Sequence, residues 1–238
     1  MKTSYSFLVI FLLLIPSTGH SQTAKDYFDK GTSKFKLKDY KGAVSDYSTS
    51  IELNPKYANA YFNRGLVKTI LKDYRGAIDD YGKSLEITPS EAEIYYFRGE
   101  AKQSIQDKKG ALSDYSKALE LNPKYSIAYC KRGNTKYDLN DYKGAIADLT
   151  NAIEIDSKNE FYYSSRGYAK YSLKDKVGAI ADFNKAIELD PKYASAYYVR
   201  GIIKITLMHQ KDNGCLDLSK AGELGYDQAY DAIKKFCQ

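Results

Sequence analysis

Small, aromatic and acidic residues recur along this chain every 34 positions. Glycine marks this period six times, at Gly31, Gly65, Gly99, Gly133, Gly167 and Gly201. Tyrosine, alanine and aspartate keep the same spacing in series that begin at Tyr27, Ala43 and Asp39. One period shared by several independent series indicates a tandem array of a single structural unit.

Each unit has the pattern of two helices joined by short turns. In the second unit, we expect the first helix over about 58–71 and the second over about 74–87. Asp73 precedes the second helix, where its side chain can accept a hydrogen bond from an unpaired backbone N–H. Proline cannot continue a helix, and it follows the second helix at Pro55, Pro89, Pro123 and Pro191. Unit four has Ser157 at this place, so we expect its turn to be specified less firmly.

One helix pair cannot bury both of its faces, whereas stacked pairs bury them against each other. Gly65 and Ala77 are small enough for the two helices of a unit to approach closely. The sequence therefore predicts an all-α solenoid of stacked helix-turn-helix hairpins. The expected units are 22–57, 58–91, 92–125, 126–159 and 160–193, then an atypical sixth unit at 194–226 and a capping helix at 227–238.

The sixth unit departs from the period, because Asp217 follows Asp182 at a spacing of 35. The extra residue lies near Met208 and His209. Cys215 opens the second helix of this unit, and Cys237 closes the capping helix. Antiparallel neighbours bring such ends together, so a disulfide that ties the cap to the array is one expectation. Two unlinked thiols are the alternative.

The first 21 residues have the organisation of an export signal. Lys2 supplies a positive charge, the apolar run from Phe7 to Ile15 follows, and Pro16 interrupts it. This run is too short to span a bilayer. We expect cleavage after Ser21, export to the periplasm or the medium, and no stable membrane span afterwards. An uncleaved membrane anchor is the alternative.

Composition and charge narrow the range of functions that we expect. The net charge of +6 comes from well-mixed charges of both signs, so nucleic acid is not the expected partner. Beyond the export signal, His209 is the one histidine, and carboxylates recur in every unit, whereas a catalytic pair is needed once. We therefore expect no catalytic residues, no metal and no cofactor.

Arginine precedes five of the periodic glycines, with Lys30 in the first unit. This series either forms a basic stripe or pairs internally with an aspartate series of the same period. The arginines are Arg64, Arg98, Arg132, Arg166 and Arg200, and the aspartates are Asp46, Asp80, Asp114, Asp148 and Asp182.

These residues together resemble the tetratricopeptide repeat, although tyrosine stands where the family pattern begins with tryptophan. Unit five shows the pattern as Tyr163, Gly167, Ala179, Phe183, Ala186 and Pro191. The resemblance covers residues 24 to about 223 and implies a right-handed superhelix that binds a protein or peptide in a concave groove. The groove residues it implies are Phe28, Phe35, Phe62, Leu66, Tyr96, Tyr137, Tyr168, Tyr171 and Tyr198. Any of these residues can instead belong to the core between units.

The sequence is also compatible with other functions. An accessory component of an enzyme or glycan-handling complex would use a polar groove cluster, for which Glu100, Asn134 and Asp138 are the candidates. Some family members grip a partner's carboxyl terminus with lysine and asparagine, but Phe28 and Thr32 occupy the first of those positions here. Nucleic-acid binding through the arginine series and a pure spacer role complete the alternatives.

Overall fold

A computed structural model describes residues 22–238, and the expected export signal lies outside these residues. Every regular element in the described part is a helix. The helices are α1 (Ala24–Lys36), α2 (Tyr40–Leu53), α3 (Ala58–Ile70), α4 (Tyr74–Ile87), α5 (Ala92–Ser104), α6 (Lys108–Leu121), α7 (Ser126–Asp138), α8 (Tyr142–Ile155), α9 (Glu160–Ser172), α10 (Lys176–Leu189), α11 (Ala194–Met208), α12 (Lys211–Glu223) and α13 (Gln228–Phe236). None of these helices within residues 22–238 has the length and apolarity needed to cross a bilayer.

Consecutive helices pack as hairpins, and each hairpin stacks on the next, so the predicted all-α solenoid is confirmed. The first helices of neighbouring units also contact each other, as α1 does with α3 and α7 with α9. We call the surface formed by the first helices α1, α3, α5, α7, α9 and α11 the inner face.

The second helix of each regular unit begins at the predicted aspartate. The carboxylate of Asp73 accepts a hydrogen bond from the backbone N–H of Gly76 at 3.0 Å, and the same bond recurs at Asp39, Asp107, Asp141 and Asp175. A Cβ at Gly76 would collide with this carboxylate. The glycine three residues after each capping aspartate is therefore part of the cap.

Four of the five turns between units share one side-chain hydrogen bond, including the turn that lacks proline. The side chain of Asn54 accepts a hydrogen bond from the backbone N–H two residues later, as Asp156 does from Lys158 at 3.1 Å. In unit four, Ser157 replaces the proline, and the Asp156 carboxylate specifies the turn instead. A side-chain acceptor at this position can stabilise a turn without proline.

The contact within each unit is built around one fully buried side chain of the second helix. This side chain is tyrosine in the first three units and leucine or phenylalanine in the last three: Tyr47, Tyr81, Tyr115, Leu149, Phe183 and Leu218. The periodic glycine lies against it, and a Cβ on Gly99 would come within 2.7 Å of the Tyr115 ring. Glycine is therefore needed here for space.

The sixth unit contains the extra residue where the spacing places it. Helix α11 is 15 residues long, and His209 takes the left-handed conformation (φ 56°) that ends it. Helix α12 then begins without a capping side chain, and α13 packs against it. The structure joins Cys215 and Cys237 in the suggested disulfide, with their Cα atoms 5.8 Å apart.

Candidate binding surface

The periodic arginines lie between the two helices of each unit, where they pair with the periodic aspartates. Arg64 donates to Asp80 from Nε at 2.9 Å and from Nη2 at 2.6 Å. The same bidentate pairing joins Arg98 to Asp114, Arg132 to Asp148, Arg166 to Asp182 and Arg200 to Asp217. The internal pairing is thus confirmed, and we call it the ion-pair ladder.

A lysine series that was not predicted from the sequence completes this ladder. Lys68, one turn after Arg64, places its Nζ 2.8 Å from Asp80. The equivalent lysines are Lys102, Lys136, Lys170 and Lys204, each 34 residues from the last, and this period was the available signal. In the first unit, Lys34 pairs with Asp46 at 2.7 Å, whereas Lys30 lies over the Tyr27 ring.

The ladder holds its charges in a partly buried setting. The Asp80 side chain is 4% exposed and the Arg64 side chain 18% exposed. Hydrogen bonding to Asp80 raises the pKa of Arg64. Arg64 also donates to Ser48 of the preceding unit at 2.9 Å and lies over the Tyr61 ring. These guanidinium groups therefore serve the scaffold, within and between units.

The predicted groove residues of the first three units are largely packed against the core. Phe28 contacts Tyr57 with ring centroids 5.0 Å apart, and Phe62 contacts Phe97 at 5.8 Å. Leu66 and Phe35 are half-buried beside a cavity of about 230 Å³ between α1 and α3. Their exposed edges are thus available to a ligand.

Tyr96 was expected to line the groove, but its side chain is only 7% exposed. Its ring packs on Tyr125 with centroids 5.2 Å apart, and burial raises the pKa of its hydroxyl. Tyr96 therefore belongs to the core between units. Tyr125, the residue just before α7, covers it, and the same cluster includes Ala128 of the next unit. Spacing along one helix does not reveal these neighbours.

The predicted groove residues of the last three units are half-buried. The Tyr168 ring meets Phe183 edge-on at 5.3 Å, and burial raises the pKa of Tyr168 to about 12. Tyr171 packs against the same part of the core as Tyr168, whereas Tyr137 packs against the core around Leu149. The ring centroids of Tyr198 and Tyr226 are 4.7 Å apart. These rings support the fold and show one edge to the inner face.

A polar network occupies the middle of the inner face. The Tyr115 hydroxyl donates to Glu100 at 2.6 Å, and the Lys131 Nζ lies 2.7 Å from the other Glu100 oxygen. A cavity of about 390 Å³ adjoins Glu100, Lys131 and Gln103. Glu100 is thus separated from Asn134 and Asp138, which line the next cavity, so the three predicted polar residues do not form one cluster.

That next cavity, of about 370 Å³, lies between α7, α9 and the start of α11, and we call it the aromatic cavity. Its aromatic lining is Tyr137, Phe161, Tyr168 and Tyr193, and its polar lining is Asn134, Asp138, Ser164 and Ser165. Phe161 is 44% exposed and was missed in the sequence. The sequence could have indicated it, because Phe161 is the single aromatic residue at a position where other units have Asn59, Glu93 and Ser195.

Family models match most of this array. One, described as a TPR repeat, matches residues 31–69 and 133–174. Another, described as a tetratricopeptide repeat, matches 58–91, 92–125 and 162–193. Together the matches cover 31–125 and 133–193, which is more than half of the chain. Among curated proteins, none matches the sequence.

Solved structures share the fold. A structure of MamA is 26% identical, with a TM-score of 0.68, over 72% of this chain and 94% of that one. YrrB is 24% identical, with a TM-score of 0.67, over 79% and 97%. A tetratricopeptide repeat protein from Parabacteroides merdae is 22% identical, with a TM-score of 0.62, over 90% and 84%. The matched repeats, the stacked hairpins and these likenesses agree: the chain belongs to the tetratricopeptide repeat family.

Proposed function

We propose that this protein is a noncatalytic binding scaffold that acts outside the cytoplasm and holds an extended segment of a partner protein on its inner face. One observation carries the proposal. The ion-pair ladder repeats from unit to unit, whereas the inner face differs in each unit and contains three successive cavities. A surface that varies within a regular frame can recognise one particular sequence.

The chemistry of the inner face supports a peptide as the ligand. Aromatic rings offer a large contact area at a small cost in side-chain entropy, and tyrosine adds a hydroxyl for hydrogen bonding. The three cavities differ in character: Phe35 and Leu66 line the first, Glu100 and Lys131 the second, and aromatic rings the third. YrrB is described as a TPR protein with an unusual peptide-binding site.

Two observations support export. The N-terminal 21 residues have the pattern of a signal peptide, and the Cys215–Cys237 disulfide is stable in oxidising compartments. We expect the protein recovered outside the cytoplasm to begin at Gln22. N-terminal sequencing checks this expectation, and a chain that still begins at Met1 would contradict cleavage.

The alternatives have less support. The arginine series, which a nucleic-acid ligand would need, is engaged with aspartates inside the ladder. An accessory role in glycan or enzyme chemistry would use Glu100, but Tyr115 and Lys131 already bind that carboxylate.

Crosslinking followed by affinity capture from the exported fraction tests the scaffold function. The informative variant is Tyr137→Ala with Phe161→Ala, because both side chains reach the inner face. Val177→Ala is the matched control, since Val177 is 73% exposed on α10. We expect the inner-face variant to lose a partner that the native protein and the control retain. Identical partner lists, with circular dichroism showing folded variants, would contradict the proposal.

A further inference from the structure

The aromatic cavity combines four aromatic rings with a single formal charge. Among the described residues that line it, Asp138 alone is charged, and its side chain is 44% exposed. The cavity is therefore negative as well as aromatic. Both features attract a cation, because the face of an aromatic ring also carries negative charge.

Asp138 retains capacity for a further partner. Lys108 is the cation beside it, with its Nζ 3.8 Å from the Asp138 carboxylate and 3.5 Å from its backbone oxygen. By comparison, Asp80 has two cations within 2.8 Å. The looser contact leaves carboxylate lone pairs open to a donor in the cavity.

Ser164 supplies a second, independent observation. The residue is 1% exposed, and its hydroxyl has no hydrogen-bond partner among the described residues. Buried polar groups are nearly always paired, so an unpaired hydroxyl on a cavity wall suggests that a ligand supplies the partner. Asn134 adds an amide oxygen to the same wall.

We infer that the aromatic cavity is a subsite for an arginine side chain of the partner, an inference that rests on the proposed inner-face binding. A guanidinium group is planar, stacks on aromatic rings and carries five N–H donors. It can thus match the rings, the Asp138 carboxylate and the Ser164 hydroxyl together. A neutral apolar side chain would fill the space but leave the carboxylate and the hydroxyl unmatched.

Binding of two small probes to the exported, disulfide-bonded protein tests this subsite. The probes are N-acetyl-arginine N-methylamide and its neutral isostere, N-acetyl-citrulline N-methylamide, titrated by NMR. We expect the arginine probe to bind roughly fivefold more tightly, with shifts at the residues of the aromatic cavity. Equal affinities, or shifts elsewhere on the protein, would overturn the inference.

Three variants sharpen this titration. Asp138→Asn removes the charge at an exposed site, so the preference for arginine over citrulline should disappear. Lys108→Ala removes the competing cation and should strengthen arginine binding, while Val177→Ala should change nothing. A preference that persists in Asp138→Asn would overturn the assignment of the carboxylate.

The probes and the capture experiment can fail separately. If the probes do not discriminate but the Tyr137→Ala/Phe161→Ala variant loses its partner, the scaffold function stands and the arginine subsite is wrong. If the probes discriminate but partner capture ignores the inner face, the cavity binds arginine, but its assignment to a partner's side chain and the scaffold function are both wrong.

Discussion

The contact between the two helices of a unit and the inner face are built from the same helices, but only the contact repeats. Five units carry an arginine bound by an aspartate, a lysine on the same carboxylate and a glycine beside a buried tyrosine, leucine or phenylalanine. On the inner face, the equivalent positions change from Leu66 to Glu100 to Asn134. The comparison teaches that the periodic residues stabilise the fold, while the positions that depart from the period determine which ligand the inner face can bind.

Breaking the ladder should have the largest effect on stability. Asp80→Ala leaves Arg64 and Lys68 partly buried without their carboxylate, and we expect a loss of about 3–5 kcal/mol. The neighbouring Asp79→Ala is the control, because Asp79 is exposed on the same helix, and it should cost under about 0.5 kcal/mol. Urea unfolding followed by circular dichroism measures both. Similar losses in the two variants would contradict the role of the ladder.

Removing the disulfide should follow in size. The Cys215–Cys237 bond closes a loop with a sequence separation of 22. Replacing both cysteines by serine should cost about 3 kcal/mol, because the unfolded chain regains entropy. Thermal unfolding with and without a reductant checks this prediction. The reductant should destabilise the native protein and leave the double-serine variant unchanged, and an effect on both would contradict it.

Two glycines should respond in opposite directions. Gly99→Ala drives a methyl group towards the Tyr115 ring, and overpacking of this kind costs roughly 1–3 kcal/mol. Gly82 lies within α4, and among the described residues a Cβ added there would meet no atom within 4 Å apart from its two chain neighbours and the backbone of its own helix. Gly82→Ala should therefore stabilise the protein by up to about 1 kcal/mol, since alanine favours helix. Denaturation midpoints distinguish the two, and equal shifts would contradict the packing argument.

The smallest effect at neutral pH concerns the buried tyrosine hydroxyls. Burial raises the pKa of Tyr81 to about 12, whereas an unfolded tyrosine titrates near 10. The unfolded chain thus loses its proton first, so stability is intact below pH 10 and falls as the pH rises towards 12. Tyr81→Phe should show a shallower fall. Unfolding midpoints at pH 8, 10 and 11 test this, and a flat profile in the native protein would contradict it.

Contacts within a unit were predictable because local geometry fixes them. Arg64 and Asp80 are 16 residues apart in the chain, and two helices joined by a short turn bring that spacing together in every unit. The aspartate caps and the displaced Asp217 follow from the same reasoning. The lysine series was equally open to it, since Lys68 and its counterparts repeat at the same period.

Contacts between units were not predictable in the same way. The sequence by itself determined the period, the helices, their caps and the place where the sixth unit departs from the pattern, because these depend on neighbours in the chain. Only the tertiary structure decided that Tyr96 is buried, that Phe161 is exposed and that Lys131 binds Glu100. The reason is physical: such contacts depend on how the side chains of stacked units fill the space between them, and those side chains differ at each junction.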